Sequence, residues 1–223
     1  MTRKLFVEAI LKFSLGVILL GVLIFWPAGT LSYFGGWLLM GILFLPMLIA
    51  GFVMMAKNPA LLSSRLDAKE KEREQSIVVK LSGLMFVVGF VVAGLDHRFG
   101  WVELPDWVSI AAAVVFLASY ALYAEVLREN TYLSRTIKVQ EGQKVISTGL
   151  YGIVRHPMYF ATLFLFMSMP LVLGSVISLA VFLAYPFIIA ARIRNEEEVL
   201  SRELEGYDEY KEKVKYRMIP FIW

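Results

Sequence analysis

Residues 149–164 read GLYGIVRHPMYFATLF. A cation, an imidazole and a proline, Arg155-His156-Pro157, stand directly before a long apolar run. Proline is favoured in the first turn of a helix, where its missing N–H costs nothing. The spacing therefore predicts a helix that begins at Pro157. The apolar block it opens extends over 157–191, well beyond the roughly 20 residues that cross a bilayer core of about 30 Å. Pro170 and the Leu173-Gly174-Ser175 step interrupt it, the first by removing a donor and the second by offering a turn. The block is expected to fold back on itself as a helical hairpin with two short arms.

Working outward, four more apolar runs occur at 13–28, 34–56, 81–95 and 107–127. They predict single spans over about 9–28, 32–56, 77–95 and 106–127. The first is expected to be a span rather than a cleavable signal, because it is long and is followed by others. The composition agrees: 58% of residues are hydrophobic and 18% charged, where a soluble domain holds about 25% charged. The fold class is all-α, a polytopic helical membrane protein. It has four single spans, a C-terminal hairpin and an amphipathic tail helix within 192–213, bent or ended at Gly206. The closing RMIPFIW is expected to dock at the interface.

With this topology, nineteen of the 22 Lys and Arg fall on one side and only Arg98 falls on the other. Lys12 and Lys80 lie within or at span ends. The positive-inside rule makes the basic side cytosolic. Both termini, the loops 57–76 and 128–156, and the tail then face the cytosol. The loop 57–76 reads as a partly helical lid. The far-side DHRFGW, residues 96–101, reads as a polar cap on the bundle.

Cysteine is absent, which excludes disulfides, thiolate metal sites and a cysteine nucleophile. The two histidines, His97 and His156, fall in different loops. Neither a metal nor a nucleic-acid partner is expected. Chemistry is best sought where polar residues meet the membrane edge, because burying them is costly unless they are used or paired. Two such clusters occur, one around Arg155, His156 and Tyr159, the other at Arg192, Arg194 and Glu196-Glu197-Glu198. A hairpin brings both to one face. Ordinary roles fit as well: Arg155 as a topology residue, Pro157 as a helix start, and Arg192–Glu196 and Arg194–Glu198 as solvated i,i+4 pairs worth some tenths of a kcal/mol.

Residues 139–220 resemble the C-terminal half of the isoprenylcysteine carboxyl methyltransferase family and the related phospholipid N-methyltransferases. The matching pieces are VISTGLYGIVRHPMY (145–159), EEEVL (196–200), GYDEYKEKV (206–214) and RMIPFIW (217–223). The family's Phe-Gly before the paired tyrosines is replaced here by LEGY. The resemblance implies an integral-membrane methyltransferase that uses S-adenosylmethionine, with residues 1–128 as the N-terminal transmembrane part and 129–223 as the cofactor-binding catalytic region. It implies that Gln140, Gln143, Lys144, Val145, Ile146, Tyr151, His156, Pro157, Met158 and Tyr159 line the cofactor. Glu196 would hold the cofactor's amino group, and Arg192 would face the acceptor.

The chemistry is consistent with such a set. A sulfonium cofactor with an α-amino acid end needs a carboxylate for its ammonium, donors for its carboxylate and an apolar slot for adenine. Backbone donors at the start of the Pro157 helix, with His156, suit the carboxylate. An acceptor carboxylate needs only a cation to orient it, whereas an amine needs a base, and Glu197 is the candidate. The acceptor is expected to be a lipid or lipid-modified group entering from the bilayer. Two other classes remain open: a nicotinamide-dependent reductase of the sterol-reductase type, which resembles this C-terminal architecture, and a non-enzymatic membrane protein.

Overall fold

The structure is a computed structural model, and it describes residues 3–66, 73–133 and 139–223. Lys69, Lys71, Arg135 and Lys138, four of the cations that set the expected sidedness, lie outside the described residues, as does the middle of the 57–76 loop. Among the described residues the chain is helical throughout: α1 (Arg3–Ala28), α2 (Phe34–Lys57), α3 (Pro59–Leu66), α4 (Arg73–Phe99), α5 (Asp106–Glu129), α6 (Pro157–Val172), α7 (Val176–Phe182), α8 (Tyr185–Glu203) and α9 (Tyr207–Lys213), with a 3₁₀ turn at Gly149–Gly152. Five segments are long and apolar enough to cross a membrane: α1, α2, α4 from Ser76, α5, and the α7–α8 stretch Val176–Glu203.

The four predicted single spans are present, and α4 is longer than the pattern suggested. The helix α3 at Pro59–Leu66 realises part of the expected helical loop. The Asn58 Oδ1 accepts from the Leu61 N–H at 3.1 Å, and the Lys12 ammonium donates to the Leu66 carbonyl at 2.7 Å, which ties α3 to α1.

The hairpin forms with its turn where proline and glycine put it. Gly174 adopts φ 73°, and the Ser175 N–H reaches back to the Pro170 carbonyl at 2.9 Å. The second arm departs from expectation. It breaks at Leu183–Ala184, because Pro186 in the first turn of α8 has no N–H to continue the α7 ladder. The tail helix expected within 192–213 is also divided. Residues 192–203 are the end of α8, and Gly206 at φ 80° turns the chain into the separate α9. At 16 residues, α6 is about 24 Å long, short of the bilayer core.

The helices pack closely where side chains are absent. A Cβ on Gly35 would lie 2.7 Å from the Val172 carbonyl, and one on Gly94 would lie 2.7 Å from the Ile24 carbonyl and 3.0 Å from the Ala28 nitrogen. These are small-residue contacts of the kind that let membrane helices approach. Around them Ile24, Leu39, Phe116, Val172, Phe182 and Ile193 form the buried core. Leu11, Leu15, Ile18 and Leu19 of α1 are exposed, as lipid-facing residues should be. Trp26, Trp37, Trp101 and Trp107 are also exposed and gather at the non-basic ends of the helices, an aromatic belt.

The polar cap read from DHRFGW is a pin at that same end. Asp96, 2% exposed, accepts from the Ser175 hydroxyl at 2.6 Å and from the Val102 N–H at 3.0 Å. Ser175 in turn caps α7 by accepting from the Ser178 N–H at 3.0 Å. His97 stacks on Tyr33 at 3.9 Å, and the Tyr33 hydroxyl donates to the Leu173 carbonyl at 2.6 Å. Side chains of α2 and α4 thus hold the hairpin turn.

At the opposite end the fastening is ionic. The buried Glu197 carboxylate of α8 accepts from Arg155 Nε at 2.7 Å and from Arg217 Nε at 2.8 Å, and lies 3.2 Å from His156 Nε2. Arg155 Nη1 also donates to the Val214 and Lys215 carbonyls. The C-terminal arm runs beside the entrance to α6, where the Arg155 N–H meets the Tyr216 carbonyl at 2.9 Å and the His156 N–H meets the Arg217 carbonyl at 2.7 Å. RMIPFIW docks only in part: Met218 is buried, whereas Phe221 and Ile222 are exposed.

Two outcomes follow from this packing. Gly94→Val should cost about 1–3 kcal/mol through overpacking against α1 backbone, whereas Gly41→Ala, with no neighbour within 4 Å of its Cβ, should leave the unfolding midpoint in detergent unchanged. Glu197→Ala should cost about 3 kcal/mol, because it strands the buried Arg155, and limited proteolysis should then release the C-terminal arm faster than in the parent protein.

Candidate functional site

Where α8 leaves the apolar core, one stripe of its surface carries Arg192, Glu196 and Leu200 at intervals of four, with the helix-ending Leu204 next in line. The stripe is about 18 Å long and grades from charged to apolar. It lines a cleft that opens to solvent. The start of α6 supplies His156, Met158 and Tyr159, and the segment before it supplies Gln143, Lys144, Val145, Ile146 and Tyr151.

The charged end is organised by one hydroxyl. Tyr159, 4% exposed, donates from Oη to Glu196 Oε2 at 2.5 Å and accepts from Arg192 Nε at 2.9 Å. The i,i+4 pair read from the sequence is thus joined through a tyrosine of the other hairpin arm. Arg194 and Glu198, rotated around the helix, are exposed.

The apolar end is built by the α8–α9 corner. Leu204, Tyr207, Tyr210 and Val214 are buried together, with Val139, Val145 and Leu200 against them. The Tyr210 hydroxyl donates to the Tyr151 carbonyl at 2.6 Å, and the Asn130 amide donates to the Tyr151 hydroxyl at 3.1 Å. Glu129 at the end of α5 accepts from the Leu150 N–H at 3.0 Å, which secures the 3₁₀ turn carrying Tyr151. Burial pushes the phenols of Tyr151, Tyr207 and Tyr210 up, so all three stay protonated at neutral pH and can donate.

Ten of the residues named from the sequence line this cleft: Gln143, Lys144, Val145, Ile146, Tyr151, His156, Met158, Tyr159, Arg192 and Glu196. Three named residues are not on its wall. Gln140 closes a turn instead: its amide donates to the Tyr132 carbonyl, and its N–H meets Gln143 Oε1 at 2.9 Å. Pro157 is buried at the first turn of α6. Glu197, considered as a base, has its carboxylate oxygens committed to Arg155, His156 and Arg217.

The backbone donors expected at the α6 entrance are also taken, since the N–H groups of Arg155 and His156 bond the C-terminal arm. Arg155, read as a topology residue, is instead a buried partner of Glu197 and lines the cleft. Sequence reading also missed Asn130, Leu200, Leu204, Tyr207 and Tyr210. The i+4 continuation from Glu196 pointed to Leu200 and Leu204, and the paired tyrosines of GYDEY pointed to the corner. No local signal marked Asn130.

Residues 109–202 match the model of the isoprenylcysteine carboxyl methyltransferase (ICMT) family. A solved structure of the eukaryotic intramembrane Ras methyltransferase ICMT superposes with a TM-score of 0.56 at 18% identity, covering 92% of this chain and 74% of that one. Similar curated proteins include the Delta(14)-sterol reductase of Methylotuvimicrobium alcaliphilum, 26% identical over 136 residues, 54% of this chain and 32% of that one. The mouse (Mus musculus) Delta(14)-sterol reductase TM7SF2 is 29% identical over 91 residues, 40% of this chain and 22% of that one. The chain thus spans a third or less of the length of these curated relatives. The family match covers α6 and nearly all of α8 with the cleft stripe between Arg192 and Leu200, and the helical architecture is similar to that of the solved enzyme: the chain is a polytopic helical membrane protein whose C-terminal part resembles the ICMT family.

Proposed function

We propose that this protein is a membrane methyltransferase that transfers a methyl group from S-adenosylmethionine to a lipophilic acceptor, with residues 129–223 as its catalytic region. The observation that carries the reading is the single cleft in which Glu196 and Arg192 share the Tyr159 hydroxyl at one end and an aromatic corner closes the other. Such a graded wall suits a cofactor with an amino acid at one end and adenosine at the other. The buried Tyr207 hydroxyl, which has no partner among the described residues, further supports a cleft built around a ligand.

When bound, S-adenosylmethionine supplies an electrophilic methyl on sulfonium. The chain's part is alignment. Glu196 accepts from the cofactor's ammonium. Leu200, Leu204 and Val145 exclude water around adenine. Arg192 orients an acceptor carboxylate, which needs no base because it is ionised at neutral pH. Alignment of acceptor and methyl is the main catalytic requirement of such an in-line displacement. The commitment of Glu197 to three nitrogen groups favours a carboxylate acceptor, such as an isoprenylcysteine, over a phospholipid amine that must lose a proton. The basic loops and tail support a cytosol-facing cleft, with the acceptor arriving from the bilayer.

The second reading, a nicotinamide-dependent reductase, is favoured by the two sterol-reductase relatives. Glu196 speaks against it, because a carboxylate attracts an ammonium and repels the phosphates of a dinucleotide. Full-length protein in lipid nanodiscs decides the matter. S-adenosylmethionine should bind more tightly than NADPH, and radiolabelled methyl should reach a farnesylated cysteine but not phosphatidylethanolamine. Glu196→Gln and Arg192→Leu should each lower kcat/KM on the order of 10²-fold, the loss of a hydrogen bond to a charged group. Tighter NADPH binding would establish the reductase reading instead.

A further inference from the structure

If Glu196 takes the cofactor's ammonium, the carboxylate on the same carbon atom needs a donor close by. The donors at the entrance to α6 are committed. Arg155 and His156 side chains face Glu197, the N–H groups of both residues serve the C-terminal arm, and Tyr159 donates to Glu196. Among the described cleft-lining residues, one buried polar side-chain atom lacks a partner: the hydroxyl of Tyr207.

Tyr207 is 4% exposed and is held by the corner that Gly206 creates, with its N–H on the Leu204 carbonyl at 3.2 Å and its ring 5.8 Å from that of Tyr210. The phenol lies at the seam between the aromatic corner and the ionic cluster, near enough for Glu197 and Glu196 to act on it electrostatically. A buried neutral donor at that seam, beside two carboxylates, is suited to an anionic group that arrives attached to an ammonium. A buried donor left unmatched is otherwise destabilising.

We propose that Tyr207 is a cofactor-binding residue whose hydroxyl donates to the α-carboxylate of the methyl donor while Glu196 holds the ammonium. The assignment rests on the S-adenosylmethionine reading above. It makes the α8–α9 corner a sensor of the amino-acid end and not only a wall for adenine. Tyr210, three residues on and about one turn away on the same corner, differs in that its hydroxyl is already spent on the Tyr151 carbonyl.

Calorimetric titration of the full chain in nanodiscs tests this with two ligands: S-adenosylhomocysteine, and 5′-methylthioadenosine, which lacks the amino-acid end. Tyr207→Phe should weaken S-adenosylhomocysteine roughly tenfold and leave 5′-methylthioadenosine within about twofold, with an unchanged unfolding midpoint. Tyr210→Phe should lower the midpoint and weaken both ligands alike, as a structural role predicts. Unchanged S-adenosylhomocysteine binding by Tyr207→Phe, or equal weakening of both ligands, would overturn the assignment while leaving the methyl-donor reading intact. Binding of neither ligand by the parent protein would overturn that reading and the assignment with it.

Discussion

The Glu197 carboxylate is the point on which the active-end architecture depends. It is 6% exposed and meets nitrogen atoms of Arg155, His156 and Arg217, residues 42, 41 and 20 positions away. Those contacts join α8, the entrance to α6 and the C-terminal arm. A buried ion cluster contributes little net stability relative to apolar packing, but loss of one member is costly. Its value lies in allowing one arrangement of three segments that could otherwise slide. With α8 fixed in rotation, Glu196, the residue before it, lies about a quarter of the way round the helix and lines the cleft. Two adjacent glutamates thereby take different places, one fastening the scaffold and one lining the cleft.

Tyr159 carries that order into the cleft. It comes from α6, whereas Arg192 and Glu196 come from α8, so its hydroxyl is a direct hydrogen-bonded link between the hairpin arms at this end. At the far end the arms are held by Asp96 on Ser175 and Tyr33 on the Leu173 carbonyl. The apolar helices between need only close approach, which Gly35 and Gly94 provide. Directional polar contacts at both ends, with small-residue packing between them, are what a membrane bundle can use when lipid is as apolar as its own side chains.

Much of this was legible in the sequence because the bilayer imposes length and composition on every span. The four single helices, the hairpin and its turn, and the bend at Gly206 follow from runs, prolines and glycines. The convergence of Tyr159 with Arg192 and Glu196 followed from hairpin geometry. Other features were not legible because they depend on residues far apart in the chain. Arg155 looked like a topology cation because its partner, Glu197, lies 42 residues on, and no local pattern distinguishes a buried arginine from an exposed one. The break at Leu183–Ala184 needed Pro186 to be read as a helix start rather than as one more residue in an apolar run. Likewise, the entrance N–H groups looked free until the C-terminal arm was seen to lie against them.

One scaffold with two chemistries among its relatives explains why architecture alone leaves the reaction undetermined. A methyl donor and a dinucleotide share adenosine, so the aromatic corner of Leu204, Tyr207 and Tyr210 can serve either. They differ at the other end, where one presents an ammonium and a carboxylate and the other presents phosphates. In this chain that end carries Glu196, held in place by Tyr159 and set beside the ion cluster of Glu197. Phosphates entering there would meet one carboxylate directly and a second just behind it, while of the neighbouring cations Arg155 and Arg217 are held by Glu197 and Arg192 by Tyr159. An α-amino acid would find its ammonium matched. On the proposed reading, the charge at residue 196, more than the shared helical frame, is what suits this cleft to a methyl donor.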